Sequence, residues 1–426
     1  MPPIFWTQKQ DIGPSRRTEH GLAYDASSER VVVFGGDPGG PPLADTWHWD
    51  GSLWTQVADT GPSARQSLAM AHHAAAQRVV LFGGASGGIF LGDTWTWDGT
   101  EWTQVADTGP LARASHAMAY DGVRERTVLY GGAAGAGLFG DTWEWDGTEW
   151  TQIQDVGPTA RRGHAMAFDA TASMVVLFGG AGADGAGLND TWTWDGAVWT
   201  QAADTGPDPR VATALAGNGV VMLFGGVNSI DPLLPPGDRV IYGDTWRWDG
   251  SAWTKIQDIG PAPRWGHGVA SRSQAGRVVL FGGSSVFAPA QDPSLVPGLR
   301  LDTWEVQPAA APPVGPTGVE VATVTVNPDI AANEGDVIEV TVTLTGPAPG
   351  SVNLVTGIFF DDGMGSYMPV SPPGFTIPMP ITVGAGESSK QFDIVRDAEP
   401  LTPGNYAIGV VVEGGAAVQG AFFTVA

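Results

Sequence analysis

Residues 93–104 read Asp93-Thr-Trp-Thr-Trp-Asp-Gly-Thr-Glu-Trp-Thr-Gln104. Trp95 and Trp97 stand two apart, so in a strand both rings fall on the same face. Asp98-Gly99 follows, a pair that tolerates positive φ at both central positions of a tight hairpin turn. Trp102 then opens a second strand. The stretch is therefore predicted to be a β-hairpin with an unusually heavy aromatic face. Working outward, the tripeptide Asp-Thr-Trp recurs from Asp45, Asp93, Asp141, Asp190, Asp244 and Asp302. A Gly-Gly doublet precedes each copy, beginning at Gly35, Gly83, Gly131, Gly179, Gly225 and Gly282, with spacings of 48, 48, 48, 46 and 57 residues. Upstream of each doublet lie a Val-rich strand and, before it, a strand that follows an Arg. Each unit thus reads as four strands, a to d, the third and fourth being the aromatic hairpin.

Internal repetition at this period decides the architecture. The doublet, the aromatic strand and the spaced Trp resemble the kelch repeat over about residues 4–306, and six copies imply a six-bladed β-propeller. The rival WD repeat has a period nearer 40. The sixth copy ends after strand c, at Trp304-Glu305-Val306, and the chain begins with Phe5-Trp6-Thr7-Gln8, a strand d without a blade. The N-terminal strand is therefore expected to complete blade six and close the ring, which removes two exposed sheet edges.

Composition agrees with an all-β chain and bounds its partners. The 426 residues include 61 Gly, 33 Pro and 18 Trp. There is no Cys, which removes disulfides, thiolate metal sites and a Cys nucleophile. The formal charge of −24 argues against nucleic acid, whose phosphates call for a basic footprint. No apolar run is long enough to span a membrane, and residues 1–10 do not read as a signal peptide.

After the repeats, residues 307–316 are rich in Pro and Ala and read as a semi-rigid linker. Seven alternating segments follow, at 319–326, 336–345, 352–360, 376–383, 389–396, 405–413 and 419–425, which suits an immunoglobulin-like β-sandwich over 317–426. Asn333-Glu-Gly-Asp336 and the run from Ile381 to Phe392 resemble the Calx-beta and related bacterial sandwich families. Some of those bind Ca²⁺ through loop carboxylates, which makes Glu334, Asp336, Asp361 and Asp362 calcium candidates. Solvated loop acids are the alternative reading.

Strand parity gives the propeller two faces. The d–a and b–c loops share one, here called the upper face, and the a–b and c–d loops share the lower face. Arg17, Arg65, Arg113, Arg161, Arg210 and Arg264 each begin a strand a, and should ring the upper mouth of the central channel. In animal kelch substrate adaptors arginines at this repeat position bind acidic peptides, so the resemblance implies an anion-binding mouth. The alternative is pairing with the Asp that opens strand c. Trp265 follows Arg264 and could stack on a sugar or aromatic ligand, or pack internally. His20, His116, His164 and His267 recur three residues after the Arg, but Leu68 and Thr213 break any metal ring. The b–c loops of blades five and six, 227–243 and 284–301, are twice as long as the others, and long loops tend to carry function.

No nucleophile–base pair or metal constellation stands out, so no catalytic residue and no cofactor is expected. The domain order resembles galactose oxidase, but that enzyme needs a Tyr–Cys crosslinked copper site. This chain has no Cys, and no His after His267. The expectation is a non-catalytic recognition or adhesion protein that binds protein or glycan through the upper face, extracellular or on a particle surface. Two alternatives stay open: a structural or receptor-binding part of a phage or injection particle, and a sugar-acid-active enzyme such as a mutarotase.

Overall fold

The computed structural model describes residues 6–306 apart from 11, 136, 155, 218–219, 232, 258–259, 273–276 and 287–297, together with strands between 321 and 425. Two compact units are distinguished, one of Gln8–Ile256 with Pro263–Val306, the other holding Gln307–Ala426. The first contains six separate four-stranded antiparallel sheets. Blade two shows the plan: Ala69–His73, Arg78–Phe82, Thr94–Trp97 and Trp102–Ala106 are its strands a to d. Trp97 stands opposite Val79 on one side and Trp102 on the other. The six strands a neighbour one another in a closed circuit, which places them around the axis. Blade six is Gly268–Arg272, Arg277–Phe281 and Thr303–Val306, completed by Trp6–Gln10. The sheet runs in the order N-terminal strand, c, b, a, so closure by the N-terminus stands as read from the sequence.

The recurring tryptophans of the repeat are placed by packing between blades and by indole hydrogen bonds. In strand c the second Trp (Trp49, Trp97, Trp145, Trp194, Trp248) is fully buried between blades. The strand-d Trp packs against the preceding blade, as Trp102 does edge-on against Phe34 at 5.3 Å. Its indole N–H donates to the Thr of that blade's Asp-Thr-Trp: Trp102 to Thr46, Trp150 to Thr94 and Trp199 to Thr142, each at 2.9 Å. A buried indole N–H calls for such a partner. The first Trp of the tripeptide donates to its own Asp, as Trp95 does to Asp93 at 2.7 Å.

The Gly-Gly doublet is where adjacent blades interlock. Both glycines have positive φ in all six blades, a conformation that disfavours a side chain. The second donates its N–H to the carbonyl of the next blade's Arg, as Gly84 does to Arg113 at 2.9 Å. A Cβ on Gly83 would lie 2.7 Å from that same carbonyl oxygen, so the close approach itself demands glycine.

The C-terminal unit contains two sheets. One orders Val321–Asn327, Val337–Leu344, Ser389–Arg396 and Phe375–Thr376. The other orders Ile330–Ala331, Val418–Val425, Gly404–Val412, Val352–Asp361 and Tyr367–Pro369, with Ile381–Val383 also on Val352–Asp361. The segment expected at 376–383 is two short pieces in different sheets. The linker 307–316 and the calcium candidates Glu334, Asp336 and Asp362 lie outside the described residues; Asp361 ends a strand. Among the described residues no helix is long and apolar enough to cross a membrane.

Candidate functional site

The six arginines, one ahead of each strand a, are buried rivets. All six are fully buried. Each grips the Asp that opens strand c of its own blade through two bonds. Arg113 donates to Asp141 at 2.6 and 2.9 Å, and Arg161 donates to Asp190 at 2.6 and 2.7 Å. Arg17 with Asp45, Arg65 with Asp93, Arg210 with Asp244 and Arg264 with Asp302 repeat the arrangement. A third bond goes to the first Gly carbonyl of the doublet, as from Arg113 to Gly131 at 2.9 Å. Phe139 and Tyr242 add ring faces under Arg113 and Arg210. Burial alone would raise the carboxyl pKa of Asp141; the Arg113 hydrogen bonds and charge outweigh it and hold it below the ordinary value. An open anion-binding mouth built from these arginines is therefore corrected: their donors and charge are spent inside the blade.

Two residues beyond each Arg the chain makes a turn that sequence reading missed. Glu19, Ser67, Ser115, Gly163, Ala212 and Gly266 all sit in the left-handed region, with φ between 51° and 64°. Each donates its N–H to the carbonyl of the one before: Ser67 to Glu19, Ser115 to Ser67, Gly163 to Ser115 and Ala212 to Gly163 at 2.8 Å. Gly266 to Ala212 at 3.0 Å and Glu19 to Gly266 at 2.7 Å complete the circle. Six blades are thus stitched by a closed belt of backbone bonds around the axis. Ser67 hydrogen-bonds the Glu19 carboxyl, whose pKa burial raises. The signal was in the sequence only as small or polar residues at a fixed offset.

The histidines do not gather. His20, His116, His164 and His267 occupy separate slots between blades, edge-on to Phe281, Phe82, Tyr130 and Phe224 at 5.3 to 5.6 Å. Burial, helped by the neighbouring Arg, pushes each pKa down to about 3, against the opposing effect of backbone hydrogen bonds from Phe82, Tyr130 and Phe224 at His116, His164 and His267. Among the described residues no cluster could hold a metal ion.

What the upper face offers instead is a braced platform over blades four to six. The long loop of blade five is tied to the b–c loop of blade four: Gly187 donates to Asn228 at 2.9 Å, Ile230 to Gly185 at 3.1 Å, and Ser229 Oγ to Gly185 at 3.0 Å. Beneath it Ala181, Val211 and Val227 form a small second core, against which Ile230, Ile241 and Trp265 pack. Trp265 donates its indole N–H to Val286 at 3.0 Å, so it braces the platform. Leu233 projects from it, 87% exposed. Around the same face Ile12, Ile89, Leu111, Val156 and Val240 are also exposed, against Leu53, Val123 and Val198 in the lower-face loops. A recess of about 580 Å³ lies beside Val156, between Leu138–Asp141 and Val156–Pro158. Of loop 284–301, residues 287–297 lie outside the described residues.

Comparison with known proteins agrees with the architecture. The chain matches the family described as the KLHDC2/KLHL20/DRC7 Kelch-repeats domain over residues 6–157 and 99–283. The solved structure of YjhT aligns with a TM-score of 0.53 and 14% identity, covering 70% of this chain and 98% of that one; it is a likeness of fold. An arginine-to-alanine triple mutant of AofleA from Arthrobotrys oligospora aligns with a TM-score of 0.41 and 13% identity, covering 66% of this chain and 83% of that one. No curated protein sequence matches.

Proposed function

This chain belongs to the kelch-repeat family, and we propose that it is a non-catalytic recognition protein whose upper face binds a protein partner. Kelch propellers commonly bind proteins, which supports the class of partner. The observation that carries the reading is the braced platform. A long loop held by backbone bonds and its own apolar core, with Leu233 presented at its surface, is a pre-ordered contact rather than a loop that must be ordered on binding. Scattered exposed apolar residues need no explanation singly; their weight toward one face is what favours that face. The net charge of −24 favours a neutral or cationic partner surface. The C-terminal unit, read as an immunoglobulin-like sandwich, serves as a spacer, and the protein acts outside a cell or on a particle.

A glycan or sugar-acid ligand is the weaker reading, since the six arginines that would have received an acid are paired. Probing the full chain against peptide and glycan arrays, with mutarotation and glycoside hydrolysis assayed alongside, separates the readings. Saturable peptide binding without turnover is expected. Turnover of a sugar acid, with no peptide bound, would replace the recognition reading with an enzymatic one.

A further inference from the structure

The lower end of the channel differs in chemistry from the upper. Each strand a pairs only with its own strand b, so its other edge presents unpaired N–H and C=O groups to the axis. Between these edges the channel opens into a space of about 180 Å³. Five residues after the Arg, three successive blades contribute Met70, Met118 and Met166, and the other three contribute aliphatic side chains. Two residues further on, Tyr24, His72, Tyr120 and Phe168 form a collar over four blades. The collar is broken at blades five and six, where the same position is Gly217 and Ser271.

The collar is fixed sideways, which leaves the middle open. The Tyr120 hydroxyl accepts from Ala75 N–H at 3.1 Å on the preceding blade. His72 is engaged by Asp25 and Ser27 of the blade before it, both at 3.2 Å. Among the described residues that line the space there is no Asp, Glu, Lys or Arg, and His72 faces Asp25, so an ionic ligand would find no counter-charge there and would lose its hydration. Space of this size matches a single ring: apolar cavities of roughly 150 Å³ take up benzene. The edges of the strands a answer a hydrogen-bonding group, and the buried Met70, Met118 and Met166 give the wall between them an adaptable apolar backing.

We propose that the lower end of the channel is a binding socket for a small neutral aromatic carrying one hydrogen-bonding group, of the phenol or indole class. It is independent of the upper-face platform. The breach at Gly217 and Ser271 is the side on which the collar leaves room for the ligand.

The test is a titration of the full chain, labelled at its methionine methyls, with phenol, indole and benzene, followed by NMR. Of the 9 methionines, Met70, Met118 and Met166 should shift saturably with phenol or indole, and benzene should bind at least several-fold more weakly. Ser271→Phe completes the collar and should abolish the shifts while the fold is retained. Met118→Phe fills the space from the opposite wall and serves if Ser271→Phe fails to fold. Absence of saturable shifts at these three methionines overturns the socket, as does binding that survives both filled variants. Benzene binding as tightly as phenol overturns the hydrogen-bonding part of the proposal.

Discussion

The indole nitrogen of Trp54 donates to Thr303 Oγ1 at 2.7 Å, joining residues 249 apart in the chain. It is the same bond that Trp102 makes to Thr46 within the array. The seam between the first and last blades is therefore chemically one more blade interface, reinforced by Arg272 of blade six, whose guanidinium donates to the Asp50 carbonyl of blade one at 2.6 Å.

From this equivalence, Thr303→Val and Thr46→Val should cost about the same, roughly 1 kcal/mol each, the net worth of one hydrogen bond. Deleting residues 1–9 should cost far more, because it takes Trp6 from blade six and bares an edge. Urea unfolding of the three variants checks both statements. A deletion with an unchanged midpoint would mean that the ring closes without its N-terminal strand.

The arginines give a second expectation. Arg113→Ala leaves Asp141 half-buried beside an emptied slot, and breaking a buried pair costs about 3–5 kcal/mol. Arg113→Ala with Asp141→Ala should cost less than the sum of the single changes, by at least ~1 kcal/mol. A cheap single substitution together with altered ligand binding would return the arginine to the role of a ligand-binding group.

These two residues also show what was legible. Their repetition and their common face could be read from strand parity alone, and both pairing and ligand binding fitted that placement. What decides between them is the guanidinium's turn toward Asp141 and the glycine carbonyl, which depends on packing that a repeat pattern does not encode. The belt at Glu19, Ser67 and Ser115 was hidden for a related reason. Left-handed turns are expected at Gly, and only Gly163 and Gly266 announce them. The lower channel end is hidden in the sequence because Met118-Ala-Tyr120 reads as an ordinary alternating strand; the departure at Gly217 and Ser271 is its one trace.

The belt carries a third prediction. A left-handed conformation costs an L-residue roughly 1–2 kcal/mol, which glycine avoids. Ala212→Gly should therefore raise the melting temperature despite the added flexibility of the unfolded chain. Gly163→Ala should lower it, since a Cβ there would lie 2.6 Å from Val211. A thermal scan of both variants suffices; opposite signs would remove the belt's conformational strain from the account.

Acid should weaken the propeller. Four histidines have folded pKa values lowered to about 3 by burial, against roughly 6.5 unfolded. Their contribution is complete above about pH 6.5 and is lost as pH falls toward 3, because the unfolded chain binds the extra protons. The rivet aspartates act in the same sense below about pH 4, while Glu19, raised by burial, acts in the opposite one. Replacing the four histidines by Leu, as blade two already has at Leu68, should flatten the fall in urea midpoint between about pH 6.5 and pH 4. An unchanged slope would assign acid sensitivity elsewhere.

The central claim is that recognition belongs to the upper face, and it is tested most directly by comparing two triple variants against the same peptide. Leu111→Asp, Val156→Asp and Leu233→Asp alter the upper face, while Leu53→Asp, Val123→Asp and Val198→Asp make equal charge changes on the lower one. Binding of the strongest array peptide, measured by calorimetry on the full chain, should weaken at least tenfold in the upper-face variant, about 1.4 kcal/mol, and stay within twofold of the parent in the lower-face variant. Equal losses in both, or a loss confined to the lower-face variant, would contradict the account.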